Sequence, residues 1–236
     1  MSEIQPTSSA STHAPGAPTP KNSVIYVDGF NFYYGLLHEF PERKWLNLQR
    51  FCELLRPDDE ILKIRYFTTK IDTEKMRSEK RDRQGRIWDA LRTQPKIQFT
   101  YGKFANRERD CLGSTCPHRQ SFWTMEEKQT DVNIALAMVR DVAELKPQVM
   151  VLFSGDIDLL PALEEVHRLD RTIKIVVYIP LTEDQLRHRR TDEYAKFASV
   201  VKPVSEKYLK MAQFPKRVPD GKGGFIECPE AWRGAD

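Results

Sequence analysis

The chain is 236 residues long, with 37 Lys and Arg against 34 Asp and Glu, for a net charge of +3. That length holds one α/β domain of about 180–200 residues plus tails, and a charge so close to balance means that any nucleic-acid footprint has to be local. Four scattered cysteines, Cys52, Cys111, Cys116 and Cys228, exclude a disulfide framework, and no apolar run approaches membrane-spanning length, so a cytoplasmic protein is the expectation.

Residues 1–22 are rich in Ser, Thr, Pro and Ala, with Ile4 as the single sizeable apolar side chain. Such a segment cannot bury enough surface to offset its ordering entropy, and it is read as a disordered leader without a targeting pattern. Residues 23–202 are expected to form the domain, and 203–236 a Pro-punctuated tail laid over it on Phe and Trp anchors.

Residues 23–27, SVIYV, make the first buried strand. It closes in Asp28, Gly29, Phe30 and Asn31, after which Phe32, Tyr33, Leu36 and Leu37 continue as a helix. Asp28 suits an N-cap as well as a site at a strand end. Residues 44–55 are predicted to be an amphipathic helix through Trp45, Leu48, Phe51 and Leu55, and residues 60–68 a strand. Asp58 and Asp59 precede that strand and are read as turn residues in water.

Residues 72–93 are predicted to be a long charged helix. Lys75, Arg77, Lys80, Arg81, Arg83 and Arg86 outnumber Glu79 and Asp82 there, which is either a solvated face or a phosphate-tracking one. A short strand is expected over 97–104 and a loop over 105–120. That loop carries Cys111, Cys116 and His118. Zinc would need a fourth ligand and a second close pair, so a mobile loop is the stronger reading.

The run EEKQTD at 126–131 is predicted to open a regular helix, with Thr130 as N-cap and Asp131 in the first turn, where it aims off the helix end. Asn133 is placed nearby. Residues 149–163, VMVLFSGDIDLLPAL, then give a fully apolar strand, a Gly turn with Asp156 and Asp158, and a helix with Pro161 near its start. A strand that feeds a helix through such a turn is where open α/β sheets place ligands. Two carboxylates there repel unless a proton or cation separates them, which suggests a hard divalent metal. Residues 172–179 are the last clear buried strand. Arg187, Arg189 and Arg190 form a second basic cluster, and 191–201 reads as a helix.

YVDGFNFYYGLL, EEKQTDVNIALAMVRD and SGDIDLLPAL, in that order, resemble the NYN domain family, LabA-like proteins of the PIN-like nuclease superfamily, over about residues 23–200. The resemblance implies a three-layer α/β sandwich around a mainly parallel sheet. It also implies a cluster of Asp28, Asp131, Asp156 and Asp158 holding Mg²⁺ or Mn²⁺, accompanied by Asn31, with Ser154 shaping the turn. Gln129 stands where such sequences commonly have Gly.

The chemistry so implied is hydrolysis of RNA phosphodiester bonds, with metal-bound water carrying the proton. The basic residues at 75–86 and 187–190 are the candidates for backbone contact, and Phe30 or Tyr33 for base stacking. The alternative is a regulatory module that keeps the acidic pocket and binds nucleic acid or a partner without cutting. Monomer and homodimer both remain open.

Overall fold

The computed structural model describes residues 19–70, 78–110, 121–181 and 192–233. Its strands are β1 (Lys21–Asp28), β2 (Asp59–Thr68), β3 (Ile97–Tyr101), β4 (Lys103–Asp110), β5 (Ser121–Lys128), β6 (Val149–Phe153), β7 (Lys174–Ile179), β8 (Val200–Pro203), β9 (Arg217–Pro219) and β10 (Phe225–Glu227). The helices are α1 (Gly29–Phe32), α2 (Leu48–Leu55), α3 (Ser78–Arg92), α4 (Thr130–Glu144), α5 (Leu160–Leu169) and α6 (Glu206–Met211).

Six strands form the central sheet, in the order β3-β2-β1-β6-β7-β8. Every neighbouring pair is parallel. The continuous apolar runs of β1, β6 and β7 are what a strand covered on both faces requires. Alternate residues feed two cores. Ile25, Val27, Val151 and Phe153 meet Phe51, Trp88 and Leu209 of α2, α3 and α6. Val24, Tyr26, Met150 and Leu152 meet Ile134, Met138, Leu163 and Val166 of α4 and α5. The result is a three-layer α/β sandwich. Each fully buried Leu, Ile, Val or Phe contributes about 1.5–3 kcal/mol.

One polar group interrupts the second core. Asp141 of α4 is fully buried and accepts from Arg65 Nε (2.6 Å), Arg65 Nη2 (2.5 Å) and the Tyr26 hydroxyl (2.8 Å), while Arg65 Nη1 donates to Gln98. The pair ties α4 to β1 and β2.

The C-terminal segment closes over the first core. Trp45 Nε1 donates to the Pro215 carbonyl (2.8 Å), Phe214 packs on the Trp45 ring, and Leu46 bridges to Gln213.

Several expectations need correction. The helix placed at 44–55 begins at Leu48 behind an Asn47 cap, because Trp45 and Leu46 serve the tail contact instead. Residues 105–110 are strand, not loop. They pair antiparallel with β5 in a hairpin whose alternation is between charge signs, so no apolar pattern betrays it. Residues 126–128 end that hairpin, and α4 starts only at Thr130; its cap position is Gln129, in the left-handed region at φ 78°. The helix read at 191–201 is a 3-10 turn (Tyr194–Lys196) followed by edge strand β8, where Val200 and Val201 take the extended form that β-branched residues favour. The leader through residue 18, Lys75, Arg77, Cys111, Cys116, His118, Arg187, Arg189 and Arg190 lie outside the described residues. Among the described residues, no helix is long and apolar enough to cross a membrane.

Candidate active site

The chain moves outward from β1 through β2 to β3, then returns to β6 on the other side of β1 and continues to β7 and β8. The strand order reverses between β1 and β6, and crevices at such reversals, beyond the carboxyl ends of the strands, are where open sheets bind ligands. Asp28 ends β1, and Ser154, Gly155 and Asp156 follow β6 directly.

Four hydrogen bonds order the two turns, two within them and two between them. Asp28 Oδ1 accepts from Asn31 N and Oδ2 from Ser154 Oγ, both at 3.0 Å. Ser154 Oγ in turn accepts from Asp156 N (3.1 Å), and Asn31 Oδ1 accepts from Gly155 N (3.0 Å). Asp28 is therefore both the N-cap of α1 and a site residue. Gly29 is required by close approach, since a Cβ there would lie 2.5 Å from the Phe67 carbonyl oxygen.

The third contribution comes from the β5–α4 junction. Glu127 Oε1 accepts from Thr69 Oγ1 (2.6 Å) and Thr130 Oγ1 (2.5 Å). Thr130, expected to cap the helix through its own oxygen, instead steadies Glu127. The left-handed Gln129 turns the chain so that Asp131, on the first turn of α4, faces the same space as Asp28.

These segments enclose a cavity of about 350 Å³ lined by Asp28, Phe30, Asn31, Tyr34, Glu127, Gln129, Thr130, Asp131 and Asp156. Four carboxylates share it, and among the described residues its lining includes no Lys, Arg or His. The Asp28 carboxyl is pushed up to about 6, chiefly by burial and further by Asp131 and Glu127, against the pull of its bonds from Asn31 and Ser154. Asp131 is raised too, by burial first and then by Asp156, Glu127 and Asp158.

Of the residues singled out in the sequence, Asp28, Asn31, Asp131, Asp156 and Phe30 come together here. Asp158 does not line the cavity: it is exposed, its backbone N–H caps Asp156 Oδ1, and it acts on Asp131 only through its field. Tyr34 rather than Tyr33 lines the cavity, with Phe30 against it at 4.8 Å between ring centres. Asn133 is absent from the lining.

Lys80, Arg81 and Arg86 are exposed on α3, where Arg83 and Arg86 line a separate groove with Pro229 and Glu230. Sequence reasoning passed over Glu127, although it opens the E-K-x-x-D box. It also passed over Tyr194, whose buried hydroxyl has no hydrogen-bond partner among the described residues and feels Asp156, Asp28 and Asp158.

Among the described residues, no three Asp, Glu, His or Cys side chains converge closely enough to form a ready-made metal cage. Like charges facing one another without a basic neighbour keep apart. The donor set nevertheless suits Mg²⁺ or Mn²⁺: hard oxygens, with the magnesium habit of keeping several waters and taking one or two carboxylates. Any anionic phosphate entering these four carboxylates would need such a counter-charge.

The layer order, the parallel sheet and the acidic turn at its carboxyl edge define a PIN-like α/β protein. The NYN domain model matches residues 22–196, and the chain belongs to the NYN domain family, within the PIN-like nuclease superfamily. A relative, 6-hydroxy-3-succinoylpyridine 3-monooxygenase HspA of Pseudomonas putida (strain DSM 28022 / S16), is 32% identical over 245 residues, covering 91% of this chain and 76% of its own.

Proposed function

We propose that this protein is a metal-dependent ribonuclease. The observation that carries the reading is that carboxylates from three distant segments, Asp28, Glu127 with Asp131, and Asp156, open into one cavity that no basic side chain lines among the described residues. Asp28, Asp131 and Asp156 would hold Mg²⁺ or Mn²⁺, which when bound supplies an activated water and charge stabilisation at the leaving oxygen. The chain's own part is positioning. Asn31 and Ser154 fix the two acidic turns relative to one another. Thr69 and Thr130 hold Glu127. Phe30 and Tyr34, 37% and 55% exposed, offer faces on which bases stack. The test is a panel of RNA, single-stranded DNA and nucleotides with Mg²⁺, Mn²⁺ or EDTA. RNA cleavage abolished by EDTA is expected; equal activity in EDTA, or none on any RNA, defeats the proposal.

The relative's name supplies a second reading, oxidation of a small pyridine acid. In its favour, that likeness covers more of the chain than the family model does, and two aromatic rings at the cavity suit a flat substrate. Against it, four carboxylates repel a succinoyl group. Dioxygen uptake with 6-hydroxy-3-succinoylpyridine and a two-electron reductant separates the two readings.

A further inference from the structure

The β4–β5 hairpin pairs with no other described strand. At eight residues a side it reaches about 25 Å from the sheet edge. Gly102, where a Cβ would meet the Lys128 carbonyl at 2.7 Å, pins its base beside the cavity.

Because side chains alternate between the faces of a strand, the register sorts the hairpin's charges. Paired residues Phe104–Glu127 and Glu108–Trp123 share the cavity-side face, which is acidic. The opposite face holds Lys103–Lys128, Arg107–Thr124 and Arg109–Phe122, with Ala105 opposite Glu126. Four cations meet one carboxylate there. Glu126 accepts from Arg107 (3.3 Å), from Lys128 (2.9 Å) and from Arg109. The three cationic side chains remain 59%, 51% and 54% exposed in that order. Phe122 stands beside them at 49%.

The geometry points to this face as a docking surface for single-stranded RNA, with phosphates on Lys103, Arg107, Arg109 and Lys128 and a base on Phe122. Surplus positive charge next to an exposed aromatic ring is the combination that tracks a nucleic-acid backbone while tolerating any base. Glu126 holds the guanidinium groups side by side, so little side-chain freedom is lost when phosphate arrives. The inference rests on the nuclease reading only for the choice of polyanion.

The experiment is fluorescence anisotropy of the full chain with a labelled polyuridine oligonucleotide in EDTA, across a salt series. Replacing Arg107 and Arg109 together with Ala removes two phosphate contacts. Affinity should fall at least about tenfold at low salt, and the slope of log K against log salt should flatten by about 1.4. Glu126→Gln keeps an oxygen that can hold the guanidinium groups but removes the charge that competes with phosphate for them, so it should tighten binding, and circular dichroism should show both variants folded. Unchanged affinity in the double variant overturns the inference, as does wild-type protein that binds no RNA, or polyglutamate that competes as well as RNA. Loss of metal-dependent cleavage with salt-sensitive binding intact would strike the nuclease reading alone.

Discussion

Asp28 and Asp141 are both buried carboxylates on the same side of the sheet, and they are treated in opposite ways. Asp141, fully buried, receives a two-pronged guanidinium and a phenol hydroxyl, so its charge is answered within the core. Asp28, 4% exposed, receives one backbone N–H and one hydroxyl, and the nearest charges are more carboxylates. The first acid holds the fold together. The second strains it, and an acid kept unanswered at a sheet's carboxyl edge is what a cation-dependent site requires.

The contrast can be broken most forcefully at Asp141. Asp141→Ala strands the Arg65 guanidinium in the core and should cost about 3–5 kcal/mol in urea unfolding. A loss below about 1 kcal/mol would show the pair to be dispensable.

Asp28→Asn should do the reverse. Asn keeps the cap, so unfolding free energy at neutral pH should rise by about 1–3 kcal/mol while RNA cleavage falls at least about a hundredfold. A variant that is both less stable and fully active would put Asp28 in the same class as Asp141.

The pH dependence sharpens the same point. The folded value of about 6 lies above the unfolded 3.8, so protonated Asp28 favours the fold. That contribution is complete below pH 3.8 and disappears as pH rises through 6, about 3 kcal/mol in all. The wild-type minus Asp28→Asn difference in stability should therefore grow more negative across that window. A flat difference would mean the carboxyl is not raised.

The smallest expected effect is at Gln129. A non-Gly residue at φ 78° is strained, and Gln129→Gly should add about 0.5–1 kcal/mol without moving Asp131.

The sequence made the buried strands easy to read, because β1, β6 and β7 are apolar on both faces and sit at the sheet's centre. The acidic turns were legible for the same reason: each directly follows such a strand. The β4–β5 hairpin was hidden because it buries almost nothing, and its only regularity is in charge sign. That cost the recognition of Glu127, read as part of a helix although it belongs to the end of a strand. The left-handed turn at Gln129 was foreshadowed only by the resemblance, in which Gly commonly occupies that position. Tyr194 lay inside a stretch whose spacing imitated a helix, and nothing along the chain announced that its hydroxyl approaches the acids.

The Ser154 hydroxyl donates to Asp28 and accepts from Asp156, so one oxygen, beside the Asn31–Gly155 bond, ties together loops 126 residues apart. A pull on either loop is delivered to the other through that atom and the Asn31–Gly155 bond, so the two acids respond to an incoming ligand as one lever. Removing the hydroxyl with alanine would leave the Asn31–Gly155 bond as the remaining tether, so both acids would stay in place with looser coupling, and tightness of grip would suffer before the shape of the molecule did.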